Sequence, residues 1–183
     1  MDLQDYFEIS KRTSIKNNDE KEILISCMGL AGELGELVES IRLADKYSAK
    51  KELTLEMGDY CWYLADISRR HNITCSEIIC NTDTSSSAIK NSNNPFSIYL
   101  SLTEKTLGIV DYLKKVYGHG HELNNEKLLE KICEAYKCLT HLRVAYDISL
   151  EEILDENIKK LAKRYPEGFS TCDSINRYEW EDD

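Results

Sequence analysis

Four carboxylates in two closely spaced pairs are the residues of this chain best suited to chemistry. Glu33 and Glu36 lie three apart in GLAGELGELVE, Gly29 to Glu39, and Glu56 and Asp59 lie three apart in EMGDYCWYLADI, Glu56 to Ile67. Side chains three apart share one face of a helix, so each pair can present two carboxylates to a common point. At 100° per residue Glu33 falls within the apolar arc of Leu30, Leu34, Leu37 and Ile41, with Glu36 at its edge. On the second helix Glu56, Asp59, Tyr60, Tyr63 and Ile67 form one stripe. Inward acids cannot all stay ionised in a low-dielectric interior without compensation. A hard divalent cation supplies it, and an all-oxygen donor set without His or Cys suits Mg²⁺ or Mn²⁺ rather than zinc. One ExxE pair among 33 acidic residues would be an ordinary solvated face. Two pairs on inward stripes of consecutive helices are not so easily explained. Gly29, Gly32 and Gly35 flank the first pair, each costing about 1 kcal/mol against alanine in a helix interior, which suggests close approach by a neighbouring helix or a ligand.

The elements that must hold these acids are helices. Apolar residues recur at helical spacing over Ile23 to Leu43, Leu53 to Ile67, Ile98 to Val116 and Leu128 to Ala145, and a short helix is expected over Ile153 to Leu161. No comparable stretch alternates like a strand, and two prolines and eight glycines leave few breakers. The expectation is an all-α helical bundle forming a single domain, 1–183. Thr74 with Glu77, and Ser149 with Glu152, are matching capping-box signals 75 residues apart. Their surroundings also match, NITCSEII beside DISLEEIL, and GLAGELGELVESIRL aligns with SLTEKTLGIVDYLKK at an offset of 72. EMGDYCWYLADI then aligns with KICEAYKCLTHL, and NPFS falls beside EGFS. Four collinear matches indicate two degenerate repeats of a helix, helix, short-helix unit, 20–97 and 98–170, with the serine-rich Asn81 to Asn94 as the bridge. Residues 171–183 are read as a variable, partly disordered tail on which Trp180 could dock.

Charge and cysteine usage narrow the partners. A net charge of −10 argues against a nucleic-acid polymer or an anionic membrane as a general partner. The start, MDLQDYFEIS, has neither a basic nor an apolar leader character, so the expected location is cytoplasmic. Seven cysteines with no CxxC pair suggest reduced, mostly core residues rather than a disulfide framework or zinc site.

Together, GLAGELGELVE followed by EMGDYCWYLADI resembles the ExxE and ExxD motifs of the MazG-like, all-α nucleoside triphosphate pyrophosphohydrolases. NIKKLAKRYPEGFS, Asn157 to Ser170, resembles the end of compact members, and KKVYGHGHELNNEKLLEK resembles the family's HGH linker and second acidic helix. The resemblance spans most of Gly29 to Ser170. It implies Mg²⁺-dependent cleavage of a nucleoside triphosphate, deoxynucleotides included, between the α and β phosphates. Glu33, Glu36, Glu56 and Asp59 match the metal ligands, and Tyr63 matches an aromatic position beside the nucleotide; a plain core role for Tyr63 stays open.

The second repeat departs from that pattern. Lys105 and Gly108 stand where Glu33 and Glu36 do, and Lys131 and Glu134 stand at Glu56 and Asp59. The second repeat instead carries His119, His121, Asn157, Lys160, Arg164, Tyr165 and Pro166, which the first lacks. Compact members of the family pair as dimers, so this division of parts implies a fused pseudo-dimer with one composite site, which could itself pair as a homodimer. Metals would be held by the first half, and substrate contacts would come from Tyr63 and from Asn157, Lys160, Arg164, Tyr165, His119 and His121. Lys160 and Arg164 are one turn apart and suit phosphate oxygens, or a solvated helix end. For the two histidines a turn or substrate contact is a better fit than metal. The competing expectations are a non-catalytic nucleotide-binding or regulatory module and a purely structural helical protein.

Overall fold

The computed structural model describes residues 1–15, 20–43, 49–82 and 94–176. Among them every regular element is helical. Helix α1 (Leu3–Ser10) runs into a 3₁₀ turn (Lys11–Thr13), followed by α2 (Glu20–Leu43), α3 (Ala49–Arg70) and α4 (Cys75–Asn81). Then come α5 (Pro95–Leu113), a π turn (Lys114–Gly118), α6 (Asn125–Ala145), α7 (Leu150–Arg164) and α8 (Thr171–Ile175). None of these helices is long and apolar enough to cross a membrane.

Two long hairpins make the bundle, α2 against α3 and α5 against α6, and α2 also packs on α5. The short helices cross over: α4 rests on α6, and α7 rests on α3. Leu30, Leu37, Leu53, Met57, Ile67, Leu102, Ile109, Leu128 and Leu142 are fully or almost fully buried between the hairpins. Each such side chain contributes about 1.5–3 kcal/mol on leaving water. Buried hydroxyls tie the hairpins together. Tyr60 and Thr106 meet at 2.7 Å, and Tyr99 donates to the Leu34 carbonyl at 2.8 Å.

The turns leading into the two crossing helices have the same geometry. Asn72 and Asp147 both take positive φ, 57° and 52°, a conformation that Asn and Asp tolerate better than other non-glycine residues. Ile73 N donates to Ser68 O and Ile148 N to Arg143 O, both at 2.9 Å, closing Schellman-type ends with buried isoleucines after the turn. Thr74 then caps α4 in a full capping box, whereas at α7 the Ser149 hydroxyl accepts from Glu152 N at 3.0 Å.

Several boundaries differ from the sequence reading. The helix α1 was not anticipated: eight residues show too little periodicity, and its order comes from burial of Leu3, Tyr6 and Phe7 and from Asp2, which caps Asp5 N at 2.8 Å. The helix expected to reach Val116 is α-helical to Leu113 and then widens into the π turn. The first part of the expected disordered tail is the helix α8, capped by Ser170. Trp180 and most of the bridge before Asn94 lie outside the described residues. All seven cysteines are free; Cys27, Cys61, Cys75 and Cys133 are buried, but Cys80 and Cys172 are exposed.

Candidate functional site

Glu33 on α2 and Glu56 and Asp59 on α3 converge in the groove of the first hairpin, with one carboxylate oxygen from each lying within 4.8 Å of the others. The fourth acid, Glu36, stands exposed at the rim. Glu33 is buried, and its Oε2 and that of Glu56 are enclosed without a hydrogen-bond partner. Burial, reinforced by the charges of Asp59, Glu36 and Glu56, pushes Glu33 up to about 8 despite the opposing field of Lys160. Burial likewise raises Glu56 to about 7; Lys160 opposes this, while Asp59 and Glu36 add to it. Buried, unpartnered carboxylate oxygens close together fit a divalent cation, which would take up the lone pairs and lower the energy of the ionised forms.

Asp59 is held from the second half of the chain. Asn157 Nδ2 donates to its Oδ1 at 2.7 Å, and the Lys160 ammonium pairs with Oδ2. Both residues are buried members of α7. The Asn157 amide is oriented by Tyr6 of α1, whose hydroxyl donates to Asn157 Oδ1 at 2.7 Å. Gly58 makes this approach possible, because a Cβ there would sit 2.7 Å from Asn157 Cβ and 3.2 Å from the Ile153 carbonyl.

From these acids a cavity of about 330 Å³ extends along the groove. Lys160 and Arg164 stand beside the acids, and Trp62, Tyr63, Tyr165 and Phe169 supply aromatic surface. Tyr165 and Phe169 lie 5.5 Å apart, and Trp62 and Tyr63 meet edge to face at 5.0 Å. Burial pushes Tyr63 up to about 12, with the negative charges of Glu33 and Asp59 adding to it. Gly29 admits the Tyr63 ring: a Cβ there would fall 2.2 Å from Cε1. By contrast, a Cβ at Gly32 or Gly35 meets nothing within 4 Å. Of the three glycines, then, only Gly29 serves close approach by a neighbouring helix, in the packed α2–α3 seam.

The cavity continues to a polar end formed by Glu22, Ser26, Asp66 and Arg70. Asp66 is almost fully buried. Desolvation would raise its carboxyl, but hydrogen bonds from Ser14, Arg70 and Ser26 outweigh that and hold it below the ordinary range. Sequence reasoning missed Tyr6, Gly58, Trp62 and this polar end. A signal existed for part of it: Ser26 precedes Glu33 by two helical turns, and Asp66 follows Asp59 by two, continuing the same stripes.

His119 and His121 do not join this site, contrary to the expectation of substrate contacts there. Both are exposed beyond the π turn, 6.4 Å apart, and His121 lines a separate cavity of about 550 Å³ with Lys127 and Lys131 on the second hairpin. The α5–α6 connection leaves them on that hairpin, whereas the acids lie in the α2–α3 groove. There Lys105 pairs with Glu134 at 3.5 Å, an interhelical ion pair at positions aligned with Glu33 and Asp59. The Lys131 ammonium lies 3.6 Å from where a Cβ on Gly108 would be.

Comparison with known proteins adds no relative: no family model, curated protein or solved structure matches this chain.

Proposed function

We propose that this chain is a Mg²⁺-dependent nucleoside triphosphate diphosphatase of MazG-like type, hydrolysing a (deoxy)nucleoside triphosphate to the monophosphate and pyrophosphate. On this reading it is a fused pseudo-dimer of two repeats with one composite site. The observation that carries the proposal is the carboxylate cluster of Glu33, Glu56 and Asp59, of which Glu33 and Asp59 line a cavity together with Lys160 and Arg164. The two halves of the chain thus contribute opposite charges to one groove, which suits an anionic substrate carried with a cation.

Glu33, Glu56 and Asp59, with Glu36 at the rim, would hold Mg²⁺, and Mn²⁺ fits the same oxygen donors. When bound, the cation would neutralise triphosphate charge and acidify a water molecule. The residues of the chain do the rest. Lys160 and Arg164 bind and orient phosphate oxygens through charge-assisted hydrogen bonds. Asn157 fixes Asp59, and Tyr63 and Tyr165 offer stacking surface to the nucleoside. Water attacks the α-phosphorus, the bond from that phosphorus to the bridging oxygen breaks, and pyrophosphate leaves. A carboxylate oxygen of the cluster accepts the water's proton.

A second reading, a nucleotide-binding module without turnover, draws support from the Lys160–Asp59 ion pair, which satisfies one carboxylate without a cation. Pyrophosphate release with Mg²⁺ from a panel of NTPs and dNTPs separates the two. The proposal expects release by the wild type and none by folded Glu56→Ala. Full activity of that variant would overturn the metal assignment, and nucleotide binding without release by the wild type would favour the module.

A further inference from the structure

We propose that Lys160 is a displaceable counter-cation: it gives up Asp59 to a divalent cation entering the acid cluster and turns its ammonium into the cavity. This rests on the cation site described above and adds a control to it, since the chain's own positive charge and the cation compete for one carboxylate.

Both oxygens of Asp59 are engaged, Oδ1 by the Asn157 amide at 2.7 Å and Oδ2 by the Lys160 ammonium. A carboxylate keeps further lone pairs, so a neutral amide can share it with a cation. An ammonium cannot, because two positive charges on one carboxylate in a groove poor in water repel strongly. The amide is also the better anchored of the two. Asn157 is fully buried, the Tyr6 hydroxyl donates to its Oδ1 at 2.7 Å, and its Cβ stands over Gly58. The Lys160 ammonium is bonded to Asp59 alone among the described residues. It sits at the end of a flexible aliphatic stem, and the side chain lines the cavity. Of the two groups on Asp59, Lys160 is therefore the one that yields.

The charge of Lys160 reaches beyond Asp59. It also acts on Glu33 and Glu56 across the cluster, whose Oε2 atoms are enclosed without a hydrogen-bond partner. One ammonium thus partly offsets three acids. A divalent cation fills the same role more strongly, by its second charge and by its demand for several oxygens at once. Once released, the ammonium shares a face of α7 with Arg164, one turn on, where the two can hold an anion between them. Cation and anion are then coupled in both directions. A cation frees Lys160 for the anion, and an anion that draws Lys160 off Asp59 tightens the cation.

The test titrates Mn²⁺ alone, by calorimetry, into the full chain as wild type, Lys160→Met and Arg164→Met. Lys160→Met should bind Mn²⁺ about 10- to 100-fold more tightly than wild type, the range that a hydrogen bond to a charged group represents. Arg164→Met removes the same charge from the cavity but from none of the three acids, so its gain should be clearly smaller. Unchanged or weaker binding by Lys160→Met, as expected if the lysine merely holds Asp59 in place, overturns the proposal. An equal gain in both variants also overturns it, since a general field would then suffice. A second measurement needs no variant and decides alone if Lys160→Met does not fold. Reductive methylation of the wild type, read by mass spectrometry against the exposed Lys159, should label Lys160 faster with Mn²⁺ than in chelator, and a rate that does not rise overturns displacement. Absence of Mn²⁺ binding in all three proteins overturns the cation site and this proposal together. Tighter binding by Lys160→Met without pyrophosphate release by the wild type upholds the displacement and sinks the hydrolase.

Discussion

Replacing Glu33 by Gln should make the cation-free protein more stable at alkaline pH. Glu33 is buried on α2 among other acids, and its folded-state value of about 8 stands well above the ordinary 4.5. Between those values the folded chain holds a proton that the unfolded chain has released. Stability therefore falls as pH rises through the window, and the loss is complete only above about pH 8. A separation of about 3.5 pH units at 1.36 kcal/mol each sets an upper bound near 5 kcal/mol. Gln escapes this cost but buries an amide whose pairing is incomplete, at about 1–3 kcal/mol, so the net gain is roughly 2–4 kcal/mol. For a chain of this size that is about 5–15 °C in Tm. The assay is thermal denaturation followed by circular dichroism in chelator, wild type beside Glu33→Gln, from about pH 5 to above pH 8. Taking the difference at each pH cancels the other titrating groups, His71 and His141 included, whose values burial lowers. Near pH 5, where the folded wild type keeps Glu33 protonated, the variant should melt slightly lower because of its amide, and it should cross above the wild type as pH rises. Millimolar Mg²⁺ should then raise the wild type at alkaline pH and leave the variant almost unmoved. A difference that stays constant with pH, or a variant that melts lower throughout, would refute the burial argument, and no response of the wild type to Mg²⁺ would refute the cation site.

The glycines give a graded test by urea denaturation: Gly58→Ala, whose Cβ would press on Asn157 and the Ile153 carbonyl, should lose about 1–3 kcal/mol. Gly32→Ala and Gly35→Ala, which meet nothing within 4 Å, should gain about 0.5–1 kcal/mol; equal behaviour of all three would contradict the packing described. Asn157→Ala should cost about 1–3 kcal/mol, because it takes away the 2.7 Å acceptor of the buried Tyr6 hydroxyl, which keeps only the Gly58 carbonyl at 3.3 Å, and removes the amide from Asp59. Tyr6→Phe should cost only about 0.5–1.5 kcal/mol, and the same measurement would expose the reverse order.

Much of this arrangement is written in local sequence. The stripe that carries Glu33 also carries Leu30, Leu34 and Leu37, so the acid is drawn inward wherever the leucines are buried. Periodicity thus placed the acids on facing helices. It also located the main helices and the turns before α4 and α7, because caps and helical repeats depend on residues only a few positions apart. The site's other half was harder to read. Asn157, Lys160, Arg164 and Tyr165 stood out in the chain, but their partners did not. That Lys160 meets Asp59, 101 positions away, depends on α7 crossing onto α3. His119 and His121 show the converse: a conspicuous spacing that the connection to α6 leaves beside a different cavity.

By itself, then, the sequence determined that the chain is helical, that four acids lie on or beside the apolar faces of two neighbouring helices, and that Lys160 and Arg164 stand one turn apart in the second half. All of these follow from residue type and a period of 3.6. Only the tertiary structure decided that three of the acids come within 4.8 Å of one another while Glu36 stays at the rim. The same is true of Tyr6, Asn157 and Gly58 as the support of Asp59, and of the run from acids through aromatic walls to the polar end at Ser26, Asp66 and Arg70. The physical reason is range. A helix fixes which residues share a face, but which face meets which is set by packing between segments far apart in the chain, and the electrostatics of a buried acid depend on that meeting.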